Sequence, residues 1–134
     1  MGDATRSEIE AAQAYFDRFV AAFATFDGRK VAELFAPPVV AVRGDGSSVG
    51  LPTQDDVIRY YQAALDEYRG KGCASARWFD LAVTPMGRAS LLGAVTWQLL
   101  KADGTVLTEG RQSYGLRRID GGEPKAFACA SHSS

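Results

Sequence analysis

Apolar side chains near the start of the chain recur every three or four positions, as Ile9, Ala12, Phe16, Phe19, Val20, Phe23 and Phe26, with Glu8, Asp17 and Arg18 off the stripe. That spacing gives one buried face on a long amphipathic helix over residues 6 to 26, capped by Thr5 or Ser7. Tyr15 falls on the margin of the stripe, where a ring is buried while its hydroxyl reaches polar company. Asp27-Gly28 interrupts the pattern. A short second helix over 29 to 35 turns Val31, Leu34 and Phe35 inward, and Pro37-Pro38 forbids its continuation. Residues 39 to 43 read as a short strand, Gly44-Asp45-Gly46 as a turn and residues 48 to 50 as the partner strand. Thr53, three residues before Asp56, opens a third helix that carries Val57, Ile58, Tyr61, Ala64, Leu65 and Tyr68 on one side, and Gly70 and Gly72 end it.

Beyond residue 72 the pattern changes from helical to alternating, which predicts strands over 73 to 84, 89 to 101, 105 to 118 and 125 to 132. Pro85-Met86-Gly87, Asp103-Gly104 and Gly121-Gly122 supply the turns. Asp-Gly is a preferred two-residue hairpin loop, so Ala102 faces Thr105 and the register of the longest hairpin follows. Trp97 then lies opposite Gly110, Val95 opposite Gln112, Gly93 opposite Tyr114 and Leu91 opposite Leu116, all on one apolar, aromatic face. Gln98 opposite Glu109, Thr96 opposite Arg111 and Ser90 opposite Arg117 make the other face polar. Both large rings, Trp97 and Tyr114, sit across from a glycine, so this register covers its own weak points.

The order is helix, helix, hairpin, helix and four antiparallel strands. It predicts an α+β cone in which three N-terminal helices pack on a curved, mainly antiparallel sheet and leave a cavity at its mouth. The 134 residues suit a single domain over 1–134, and 46% hydrophobic with 23% charged residues argues against disorder. A net charge of -1 provides no field to attract nucleic acid or an anionic membrane. No apolar run approaches the roughly 20 residues of a bilayer span. The start, Gly2, Asp3 and Ala4, has no signal-peptide pattern, so a cytoplasmic location is expected. Cys73 and Cys129 have no zinc-type spacing and lie three strands apart, roughly 14 Å at ~4.8 Å per strand, which is too far for a disulfide. Neither a metal nor a cofactor is expected, since no phosphate loop, nucleophile elbow or zinc motif is present.

A tyrosine in the first helix, a hairpin after a proline break, and Tyr114, Leu116, Arg117, Arg118 and Asp120-Gly121 before the last strand together resemble the nuclear transport factor 2-like (NTF2-like) superfamily. The chain looks most like its SnoaL-like and ketosteroid-isomerase-like members. The resemblance covers nearly the whole chain and implies the cone fold, but this superfold hosts isomerases, dehydratases, cyclases, hydrolases, transport adaptors and binding modules. The ketosteroid-isomerase pattern implies Tyr15 as a donor to a developing oxyanion and puts Tyr114 at or beside the second oxyanion donor. At the general base's position it has Arg43, which cannot accept a proton.

Two readings of Asp80 stay open. If Met86-Gly87 closes the third hairpin, Asp80 faces Gly93 and Trp78 faces Val95, which sets an acid on the apolar wall beside Tyr114 with its pKa pushed upward. A turn one residue longer exposes Asp80 and buries Phe79, Leu81 and Val83. Trp78, Trp97, Tyr15, Tyr61 and Gln112 either line a pocket for a small apolar or partly polar molecule or simply pack the core. Arg43 either binds a carboxylate at the mouth or pairs locally with Asp45. Glu109 and Arg111 read as a surface pair, and His132 lies too near the end to be a strong catalytic candidate.

The expected function is small-molecule binding between the first helix and the sheet. A catalytic version, an isomerase or lyase, uses Asp80 as acid or base with Tyr15 and Tyr114 as donors. The alternative is a non-catalytic dimerisation or adaptor module. A homodimer is expected through the outer sheet face at Thr96, Gln98, Arg111 and Ser113.

Overall fold

Thr5 and Glu8 close a capping box: Thr5 Oγ1 accepts from the Glu8 N–H at 3.2 Å, and the Thr5 N–H donates to Glu8 Oε1 at 2.8 Å. In the computed structural model, which describes residues 3–118 and 122–132, this cap opens α1, Arg6–Phe23. Asp27 caps α2, Gly28–Ala32, through the Arg29 N–H. This helix is shorter than the apolar pattern predicted, because Phe35 already belongs to β1, Phe35–Val42, which carries Pro37-Pro38 within it. The two prolines have no N–H to give, and the pairing of β1 is irregular between Phe35 and Val40. β2 is Ser48–Leu51 and α3 is Gln54–Gly70, opened by a second capping box between Thr53 and Asp56.

Four strands follow: β3 Cys73–Met86, β4 Ser90–Lys101, β5 Val106–Arg117 and β6 Lys125–Ser131. The turn expected at Gly121-Gly122 lies partly outside the described residues. The sheet runs β2-β1-β6-β5-β4-β3, and β6 inserts between β5, antiparallel, and β1, parallel. The sheet is therefore curved and mixed, with the three helices packed on one face. Ala12, Phe16 and Phe19 of α1 and Val57 and Leu65 of α3 meet Val95, Trp97, Tyr114 and Leu116 of the sheet in one core. Among the described residues no helix is long and apolar enough to cross a membrane.

The helices interlock through small or polar contacts. A Cβ on Gly28 would lie 2.8 Å from the Ile58 carbonyl oxygen and 2.9 Å from Gln62 Cβ, so α2 and α3 approach to a distance that only glycine permits. Gln62 holds the junction, accepting from the Gly28 N–H at 2.7 Å and donating to the Phe26 carbonyl at 3.1 Å. Gly93 plays the same part on the sheet, where an added Cβ would sit 3.2 Å from the Phe16 ring.

The β4–β5 register is the expected one from Ser90 to Leu99, but the turn differs. Lys101, not Ala102, faces Thr105, with the Lys101 N–H donating to the Thr105 carbonyl and the Gly104 N–H to the Lys101 carbonyl, both at 2.9 Å. The loop is three residues, 102–104, with Gly104 at φ 85°. One extra residue on β5, between Val106 and Thr108, restores the register beyond it.

The β3–β4 register decides between the two readings of Asp80: the inward one fails, Asp80 is exposed and Leu81 and Val83 pack against the core, but Phe79 stays 36% exposed. Residues 87–89 form the loop, Met86 pairs with Ser90, and Val83 rather than Asp80 faces Gly93. A bulge between Phe79 and Ala82 then resets the strand so that Trp78 faces Trp97, not Val95. Asp80 occupies this bulge at φ 55° with its side chain exposed.

Candidate functional site

Because side chains alternate along a strand, Trp97 on β4, Tyr114 on β5 and Cys129 on β6 all point to the helix side of the sheet. Phe19 and Phe23 of α1 and Tyr60, Tyr61, Ala64, Leu65 and Tyr68 of α3 face them across a hollow of about 420 Å³. Arg43 and Gly44, just past β1, line the same hollow, as do Thr108, Gly110 and Gln112 of β5. Its walls are packed rings: Phe19 and Trp97 centroids are 5.2 Å apart, Phe19 and Tyr114 5.9 Å, and Phe35 and Tyr61 4.8 Å.

Three polar side chains form a relay along this wall. Trp97 Nε1 donates to Tyr114 Oη at 2.9 Å, and Tyr114 Oη donates to Gln112 Oε1 at 2.7 Å. Tyr61 Oη and Cys129 Sγ lie 3.7 Å apart as a second polar pair. Burial raises the Tyr114 and Tyr61 hydroxyls well above the ordinary tyrosine range, reinforced by the nearby Cys129, and burial likewise pushes the Cys129 thiol up. Burial also raises Tyr60. These groups stay protonated and neutral across the physiological range, so they offer hydrogen bonds rather than a proton acceptor. Arg43 contributes the positive charge, and its Nη1 donates to Ser47 Oγ at 3.4 Å.

The NTF2-like protein family DUF6841 matches residues 7–134. The chain is an NTF2-like protein. No curated protein matches it in sequence. Among solved structures, the NTF2-like protein is similar to Aln2 from a Streptomyces species, at TM-score 0.79 and 12% identity over 98% of this chain and 94% of that one. It is also similar to a putative calcium/calmodulin dependent protein kinase II association domain from Xanthomonas campestris, at TM-score 0.71 and 20% identity over 99% and 95% of the two chains. An NTF2-like protein with a cystatin-like fold from Novosphingobium aromaticivorans aligns at TM-score 0.73 and 12% identity, over 93% and 80%. At these identities the likeness shows the fold alone.

Within the NTF2-like protein, five of the residues singled out from sequence come together around the hollow: Arg43, Tyr61, Trp97, Gln112 and Tyr114. Three do not. Tyr15 is fully buried beside the hollow and donates to the Leu34 carbonyl at 3.1 Å. Trp78 packs on Phe16 and donates from Nε1 to Asp17 Oδ1 at 3.0 Å, toward the outer side of α1. Asp80 is carried away by its bulge, and its carbonyl accepts from Arg111 Nη1 at 2.8 Å on the outer face. That face also differs in its pairs, since Glu109 accepts from Gln98 and Arg111 donates to Thr96 Oγ1, rather than the two pairing with each other. His132 lies there too, 2.7 Å from Ser113 Oγ.

Sequence reasoning missed Cys129, Tyr60 and Tyr68 as wall residues. Cys129 faces Tyr114 across β5–β6, so strand alternation carried one strand further identifies it. Tyr68 follows Tyr61 at helical spacing on the stripe already recognised on α3.

Proposed function

We infer that this chain is a small-molecule-binding NTF2-like domain whose ligand occupies the hollow between α1, α3 and the sheet. The observation that carries the reading is a space of about 420 Å³ with aromatic walls and a few convergent polar groups, Gln112, Tyr61 and Arg43. Small-molecule sites are built that way. Isomerase or dehydratase chemistry needs a group that takes and returns a proton near neutrality. The raised tyrosines and thiol of the wall favour binding over such chemistry. The test is native mass spectrometry of protein purified from its host and of Ala64→Trp, whose indole fills the hollow. An apolar adduct on the wild type that is lost in the variant is expected. Equal adducts on both, or bare protein in both together with no uptake from an apolar ligand panel, would remove the reading.

A second reading, that a copy of the chain covers the outer sheet face, draws support from the apolar side chains there. Phe79 is 36% exposed and Val40 41%, and the Phe127 ring lies over Gly115. The mass of the protein in solution tests it.

A further inference from the structure

The relay along the wall has a direction, and the direction constrains the ligand. An indole N–H can only donate. Its bond to Tyr114 Oη therefore makes that oxygen an acceptor, and the hydroxyl's single proton goes to Gln112 Oε1. The Gln112 carboxamide is thereby oriented, its oxygen held by Tyr114 and its NH₂ left as the group it can offer to the hollow it lines. Tyr114 itself has no proton to give a ligand, and Tyr15, with its hydroxyl on the Leu34 carbonyl, has none either.

The charges agree with the relay. Arg43 is the cation of the lining and makes no ion pair among the described residues. Glu109 is the lining's carboxylate, but its Oε1 accepts from Gln98 Nε2 in the outer-face ladder. Besides the Tyr61–Cys129 pair, whose two polar atoms lie 3.7 Å from each other, the hollow presents an apolar body site with amide N–H donors and a guanidinium. Its complement is an apolar molecule ending in an anionic acceptor.

Resting on the binding function inferred above, we propose that the ligand is a monocarboxylate with an apolar body, its carboxylate received by the Gln112 NH₂ group and Arg43 and its body enclosed by Phe19, Tyr61 and Trp97. Gln112 then acts as a specificity-determining residue whose polarity is set by Trp97 through Tyr114.

The test is calorimetric titration with three probes that share one body, phenylbutanoate, phenylbutanol and phenylbutylamine, against the wild type, Arg43→Gln and Gln112→Glu. The wild type is expected to bind the carboxylate at least about tenfold more tightly than the alcohol, and the amine more weakly still, as charge-assisted hydrogen bonds allow. Arg43→Gln should lose about tenfold for the carboxylate while leaving the alcohol unchanged. Gln112→Glu still accepts from Tyr114 but has no NH₂ and brings a carboxylate within reach of Arg43, so its preference for the carboxylate over the alcohol should be lost. Equal binding of carboxylate and amine by the wild type, or an unchanged preference in Gln112→Glu, overturns the proposal while leaving the binding function in place. Failure of all three probes, with no adduct on protein from its host, removes the binding function and this proposal with it.

Discussion

Tyr15 and Tyr114 are both fully enclosed tyrosines whose hydroxyls donate, yet their substitutions should differ. The Leu34 carbonyl that Tyr15 serves also accepts from the Ala126 N–H at 2.9 Å, so it keeps a partner in Tyr15→Phe. That change should cost about 1 kcal/mol. Tyr114→Phe strands two partners at once, the Trp97 N–H and Gln112 Oε1, and should cost up to about 3 kcal/mol. Urea denaturation of the two variants checks this, and equal losses would argue that the relay contributes nothing. Trp97 and Tyr114 were legible from sequence because strand parity alone sends them inward. The partner of Tyr15 was not, since it depends on where β1 starts. Asp80 was not legible either, because one extra residue in β3 decides which way it points.

At the level of elements, the close approach of α2 to α3 gives a sharp expectation. In Gly28→Ala the new methyl must displace backbone, the Ile58 carbonyl at 2.8 Å, and overpacking of this kind costs roughly 1–3 kcal/mol. Gly50→Ala meets nothing within 4 Å and should stay within about 0.5 kcal/mol. Thermal unfolding of the pair separates them, and similar melting temperatures would show that α2 is free to shift. The Thr53–Asp56 capping box was readable in advance, because it satisfies backbone groups three residues apart, whereas at α1 the sequence left Thr5 or Ser7 open and the structure chose Thr5 with Glu8. The long hairpin was readable for a less direct reason. Its turn is one residue longer than Asp-Gly suggests, and the additional residue on β5 cancels the shift. Turn length and bulges are set by twist and by contacts across the sheet, which local spacing does not encode. The same cause moved β3, where the bulge between Phe79 and Ala82 returns Trp78 to the expected face but leaves it opposite Trp97 instead of Val95.

For the whole molecule, the α+β layering followed from element order, whereas the parallel pairing of β1 with β6 joins segments far apart in the chain that no local pattern connects. That pairing brings Ala41 and Cys129 side by side and so completes one wall of the hollow. On the opposite face, the proposed contact between copies predicts a particle of twice 14.4 kDa in sedimentation equilibrium at micromolar concentration. Phe79→Glu should halve it without unfolding the chain, because that ring already stands partly in water. A 14.4 kDa wild-type particle would discard the dimer. The fold also gives the chain's two indoles different surroundings, Trp97 on the wall of the hollow and Trp78 beyond it, against Phe16 and Asp17 of α1. Any occupant that dries or polarises the interior must alter the emission of the first far more than that of the second, so the protein carries both an optical gauge of its own filling and the baseline against which to read it.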